Sequence, residues 1–157
     1  MSNAQIFFNS IKKKELSLGI SPIAQSYYRS HPACNHVVIL VHGFSACPAT
    51  LRTLGDYLFN DGLDVYGLRL AGHGDTLKAF EQSCWNDWYA SLLDVYTTLR
   101  QSYRYVSIAA SSMGSLLSCV LASRHPLHRL LCMGSFFLPQ NRWFNLCYVL
   151  SIFDYFW

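Results

Sequence analysis

Val37-Val38-Ile39-Leu40-Val41 is an unbroken apolar run, mostly β-branched, that halts at His42-Gly43. A strand with no polar position has no face to offer water, so it belongs inside a sheet covered on both sides. Sheets buried this way are characteristically parallel, and parallel strands need helical crossovers between them. The remaining sequence supplies both parts. Val65-Tyr66-Gly67-Leu68, Tyr105-Val106-Ser107-Ile108-Ala109 and Leu130-Leu131-Cys132-Met133 read as three further strands. Pro48 fits the first turn of a helix that carries Leu51, Leu54, Tyr57 and Leu58 on one face and closes at Gly62. Ser83 is placed to cap a long helix with Asp87 in its first turn and Arg100 in its last. The stripe of that helix is Trp88, Leu92, Val95 and Leu99. Another helix runs from Met113 to Arg124, turns Leu116, Leu117, Val120 and Leu121 inward, and stops at Pro126. Strand alternating with helix over short connections predicts an α/β fold with a mostly parallel sheet and helices on both faces.

The 157 residues suit one domain. Residues 1–20 read as a polar N-terminal segment and Ser21-Pro22 as a loop. The α/β domain is expected over 21–135, and 136–157 form an apolar C-terminal segment. Trp143 to Trp157 would make a helix ~22 Å long, short of the ~30 Å of a bilayer core. Its polar positions Asn145, Ser151 and Asp154 recur at roughly helical spacing. Two roles stay open for it: contact with a membrane surface, or the start of a packing or lid helix. With 52% hydrophobic and 13% charged residues, disorder is excluded. The net charge of +3 derives mostly from Lys12-Lys13-Lys14 and makes no basic face, which argues against a nucleic-acid partner. The six cysteines are widely spaced, several lie in apolar runs, and no secretory signal precedes them. Reduced thiols and a cytoplasmic location are therefore expected. No Cys-x-x-Cys pair occurs, and His125 and His128 stand apart from other ligand types, so neither metal nor cofactor is expected.

Chemistry concentrates in Ala110-Ser111-Ser112-Met113-Gly114, directly between a buried strand and a helix. Small residues around a serine in that setting permit a sharp turn that lifts its Oγ to the carboxyl edge of the sheet. The helix behind it offers free amides and a positive dipole end. Taken alone, small-x-Ser-x-Gly is common and fits a plain capping serine better; the preceding strand and the upstream His42-Gly43-Phe44 turn shift the balance to the catalytic reading. Both turns end on the same sheet edge, so the amides of Phe44 and Met113 form a candidate pair of oxyanion donors.

His42-Gly43-Phe44-Ser45, Pro48, Arg69-Leu70-Ala71-Gly72-His73-Gly74, Trp85-Asn86-Asp87-Trp88 and Ser111-Ser112-Met113-Gly114 occur in the order seen in α/β-hydrolases. The set most resembles the bacterial carboxylesterase and monoacylglycerol-lipase group, labelled serine aminopeptidase-like. That resemblance implies acyl-ester hydrolysis through an acyl-Ser112 intermediate, with the oxyanion held by Phe44 and Met113. His42, Gly43 and Gly114 would support the turns, Gly72-His73-Gly74 would be structural, and Trp85, Asp87 and Trp88 would anchor their helix. Ala71 stands where proline is usual, and Ser115 where a second glycine often follows.

Members of the group run to about 250 residues, and their acid and base follow the nucleophile in the order Ser, Asp/Glu, His. The resemblance thus makes this chain the N-terminal part of an α/β-hydrolase fold, lid and C-terminal strands missing, without the triad Asp and His. His125 and His128 lie at the far end of the Ser112 helix, at least ~18 Å away along it. His73 starts ~10 Å off, and His42 is occupied in its turn. Little or no turnover is expected of the chain alone. The alternative is a non-catalytic split or decayed half that binds a partner through the Leu130–Met133 edge, by self-association or with a complementing C-terminal half.

Overall fold

The computed structural model describes residues 3–135. Among them five strands form one sheet in the order β1-β3-β2-β4-β5: β1 (Tyr27–Arg29), β2 (His36–Val41), β3 (Asp64–Leu68), β4 (Tyr105–Ser111) and β5 (Leu130–Met133). Strands β3, β2, β4 and β5 are parallel, with Val38 beside Val65 on one flank and Ser107 on the other. The short β1 runs antiparallel along β3. The C-terminal segment, including Trp143 to Trp157, lies outside the described residues.

Alternation along β2 divides the core in two. Val37, Ile39 and Val41 point to a face covered by α1 (Asn3–Ser17), α4 (Trp85–Ser102) and α5 (Met113–Ala122). Val38 and Leu40 point to the other, where a 3-10 turn at Pro48–Leu51 leads into α2 (Arg52–Asn60), and Leu51, Leu54, Leu58 and Phe59 pack. This two-sided burial is what an all-apolar strand requires.

Several local readings need correcting. Tyr57, expected on the inner face of α2, is 72% exposed; Phe59 takes that place. The cap of α4 is Cys84, not Ser83: its N–H donates to Asp87 Oδ2 at 2.9 Å. Ser83 instead ends a short helix, α3 (Leu77–Gln82), which Thr76 opens by accepting from the Ala79 N–H at 3.1 Å. Residues 3–17, read as polar, form α1. Ala4 and Phe8 fill the seam against α4, and the three lysines sit among solvent-facing positions.

One polar group on α1 is buried. The Glu15 carboxylate accepts from Ser26 N–H (2.9 Å), Ser26 Oγ (2.7 Å) and Arg69 Nε (3.0 Å). Arg69 Nη1 in turn donates to the His73 carbonyl at 2.9 Å. The pair ties α1 to the loop after β3. Removing one partner of a buried pair leaves the other charge stranded, at a cost of about 3–5 kcal/mol. Urea unfolding of Glu15→Ala is expected to show a loss of that size. A loss of under about 1 kcal/mol, the size of a surface pair, would mean that water screens Arg69.

Candidate functional site

Strand β4 ends at Ser111 and α5 begins at Met113, so Ser112 alone makes the turn, with φ 51° and ψ −122°. A left-handed backbone at a non-glycine residue costs of order 1–3 kcal/mol and persists only where the surroundings enforce it. Here two glycines do so. A Cβ on Gly114 would lie 2.5 Å from the carbonyl oxygens of both Val41 and His42, so only glycine lets the start of α5 rest on the end of β2. A Cβ on Gly43 would lie 3.1 Å from Ser112 Cβ and 3.7 Å from Ser112 Oγ. The serine side chain therefore sits directly against the His42-Gly43-Phe44 turn. The Ser112 N–H is held by the Met133 carbonyl at 2.9 Å, which fixes the turn from the β5 side.

Ser115, where glycine often stands in the resembling group, is absorbed. Its buried hydroxyl donates to the Ala110 carbonyl at 3.0 Å. Ser112 Oγ makes no hydrogen bond among the described residues, and neither do the amides of Phe44 and Met113. A half-buried hydroxyl thus stands at a helix N-terminus, against the His42-Gly43-Phe44 turn.

His42 is fully buried. Its Nδ1–H donates to the Gly43 carbonyl at 2.8 Å, and its Nε2 accepts from the Leu70 N–H at 3.2 Å. Acceptance at Nε2 requires the neutral ring, and burial pushes its pKa down from 6.5 to about 4. The imidazole ties the ends of β2 and β3 and has no nitrogen left for Ser112. His73 donates from Nδ1 to the Ala71 carbonyl at 3.1 Å, while its buried Nε2 has no partner among the described residues. Burial lowers its pKa as well.

The surroundings of His73 are aromatic. Phe80 (4.9 Å between centroids), Trp88 (5.4 Å) and Phe44 (6.4 Å) enclose it, and the His42 ring lies at 5.0 Å. Phe80 could not be read as part of this cluster because α3 carries no strong periodic signal. Trp88 is anchored through Nε1–H to Ser83 Oγ at 3.0 Å, whereas Trp85, expected to share that task, is 37% exposed. His36 and His128 meet edge to face at the opposite end of the sheet, with centroids 5.0 Å apart. No imidazole or carboxylate is hydrogen-bonded to Ser112 among the described residues, and a serine without a base is a weak nucleophile.

A family model described as "Serine aminopeptidase, S33" matches residues 32–153. The thermostable monoacylglycerol lipase of Bacillus sp. (strain H-257) is 36% identical over 89 residues, covering 57% of this chain and 36% of that protein. A carboxylesterase of Bacillus subtilis (strain 168) is 29% identical over 91 residues, covering 57% and 37%. Among solved structures, one of the metagenome-derived lipolytic enzymes LipS and LipT superposes with a TM-score of 0.71 at 23% identity, covering 78% of this chain and 50% of that one. MenH from S. aureus superposes with a TM-score of 0.62 at 18% identity, covering 80% and 48%. The matched region is about a third of the length of the curated relatives and half that of the solved structures.

Two expectations follow from the site geometry. Gly114→Ala forces a methyl group onto two backbone carbonyls that cannot yield, and overpacking of this kind costs about 1–3 kcal/mol; a shift of the urea midpoint measures it. The second concerns pH. An unfolded His42 binds a proton below pH 6.5 and the folded one only below about 4, so stability is complete above 6.5 and declines as pH falls toward 4. At ~1.4 kcal/mol per pH unit, His42 removes about 2–3 kcal/mol by pH 4.5, and His73 acts in the same direction. The His42 ring signal in NMR should hold its neutral position down to pH 5; titration near 6.5 would refute the assignment.

Proposed function

From a chain that belongs to the serine aminopeptidase S33 family, with an α/β-hydrolase fold, we propose the serine-bearing part of an esterase- or lipase-type acyl hydrolase. Ser112 is the nucleophile. Its Oγ attacks the carbonyl carbon of an acyl ester, and the amides of Phe44 and Met113 receive the negative charge that develops on the carbonyl oxygen. The alcohol departs, and water then releases the acyl group from Ser112. What carries this reading is the left-handed turn at Ser112, packed against Gly43 at the start of α5. The names of the Bacillus relatives support an ester as the substrate class. The exposed Phe44 ring, packed against Phe80 and Trp88, gives the acyl or alcohol group an apolar surface beside the serine.

Both nitrogens of His42 are engaged and the His73 ring is shut into an aromatic cluster, so the general base comes from outside residues 3–135. Without it, the amides and binding alone leave ~10^3–10^4 over water. We accordingly expect the 157-residue chain to label slowly with a fluorophosphonate at Ser112, to lose that label in Ser112→Ala, and to hydrolyse a chromogenic short-chain ester barely above background. Brisk hydrolysis abolished by Ser112→Ala would refute the missing base; label retained in Ser112→Ala would refute the nucleophile.

A second reading, a non-catalytic half that binds a partner, is favoured by one observation. Strand β5 has no neighbour on its outer side among the described residues, and Leu131 there is 52% exposed. Co-expression with a segment that carries a downstream Asp and His separates the two. Faster fluorophosphonate labelling supports a split enzyme; association without faster labelling supports a binding module. The free thiols of the described cysteines fit a reducing compartment, the cytoplasm.

A further inference from the structure

Cys119 lies on α5 and Cys132 on β5, the strand after the crossover, and their Sγ atoms are 3.8 Å apart. Among the described residues they are the two cysteines in sulfur–sulfur contact. Cys34 hydrogen-bonds instead to the carbonyls of His36 and Gly62, while Cys47 and Cys84 precede helical turns. Neither Cys119 nor Cys132 takes part in the chemistry assigned to Ser112. Both are half-buried rather than sealed in the core, so a small oxidant can reach them. A disulfide needs the sulfurs at about 2.0 Å. The remaining gap of about 1.8 Å is within reach of side-chain rotation.

We propose that Cys119 and Cys132 form an oxidisable dithiol, closed to a disulfide by a hydroperoxide. One thiolate attacks the O–O bond; sulfur gains an oxygen to become a sulfenic acid, and the peroxide leaves as water or an alcohol after protonation. The second thiol then attacks that sulfur, forms the S–S bond and expels water. Two thiols lose two electrons and two protons, and one hydroperoxide is reduced. Burial and the hydrogen bond with Cys132 raise the Cys119 thiol above the usual range, which slows its own attack on the oxidant.

Position gives the bond its consequence. Cys132 pairs with Ala110 in the sheet, and the next residue, Met133, supplies the carbonyl that holds the Ser112 N–H. Closing the bridge pins the open edge strand to the helix that Ser112 begins, and restrains the turn from both of its neighbours.

The test uses the full chain treated with hydrogen peroxide, free thiols blocked, then digested with trypsin without reduction. The expected product is peptide 105–124 joined to peptide 130–142, each holding one cysteine. The joined mass is about 2 Da below the sum of the two and separates on reduction. Cys132→Ser should lose that product and leave Cys119 as a free thiol or sulfenic acid. Because the main readout is made on the unmutated chain, poor folding of the variant does not weaken it. Blocked thiols at both positions after treatment, sulfinic acid at either without a cross-link, or linkage scattered over Cys34, Cys47 and Cys84 would each overturn the proposal. None of these readouts depends on hydrolysis.

Discussion

The contact between the first turn of α5 and the carbonyl end of β2 organises this molecule. At Gly114 the helix backbone approaches the Val41 and His42 carbonyls so closely that a single methyl group would separate them. The same approach forces the chain through a left-handed Ser112 and brings the serine against Gly43. The backbone energy stored there is small beside the burial of the four parallel strands that hold the two ends in place. A hydroxyl at a strained, water-accessible turn is thus a by-product of packing two elements that are individually well satisfied.

His42 shows how much of the site is scaffold. The ring lies beside the serine turn, yet its two nitrogens join the Gly43 carbonyl to the Leu70 amide and so clamp neighbouring loops. Arg69, the next residue back, clamps the same loop from the other side, to the carboxylate of Glu15. The edge of the sheet is therefore stiffened by neutral and paired groups that leave the electrostatics at Ser112 to peptide dipoles. Such an arrangement favours charge that forms on a substrate oxygen and does nothing to remove a proton from the serine.

What was legible in the sequence follows the strength of the local signal. Strands β2 to β5 are legible as short, mostly apolar runs, and the serine turn through the strand before it together with the His42-Gly43-Phe44 turn upstream. Strand β1 escaped because three residues carry no period. Helix α1 escaped because its apolar run Ile6-Phe7-Phe8 is short and followed by three consecutive lysines, and its anchor, Glu15, looks like any surface acid until Ser26 and Arg69 close over it. Tyr57 only flanks the inner face that Leu51, Leu54 and Leu58 set, and Phe59 on the other flank is the residue that packs there. The aromatic enclosure of His73 joins segments from four separate parts of the chain, which no local pattern encodes.

Strand order also dictates an order of assembly. The first parallel pair, β2 with β3, can close as soon as residue 68 is available, and β1 can then zip onto β3 from a short distance away. The other flank of β2 must wait until β4 has been synthesised, some forty residues later, because β4 skips over β3 to reach it. During translation a nascent chain therefore holds a hydrogen-bonding edge of pure aliphatic sequence in readiness. On the ribosome that interval leaves the aliphatic edge open to pairing with other chains.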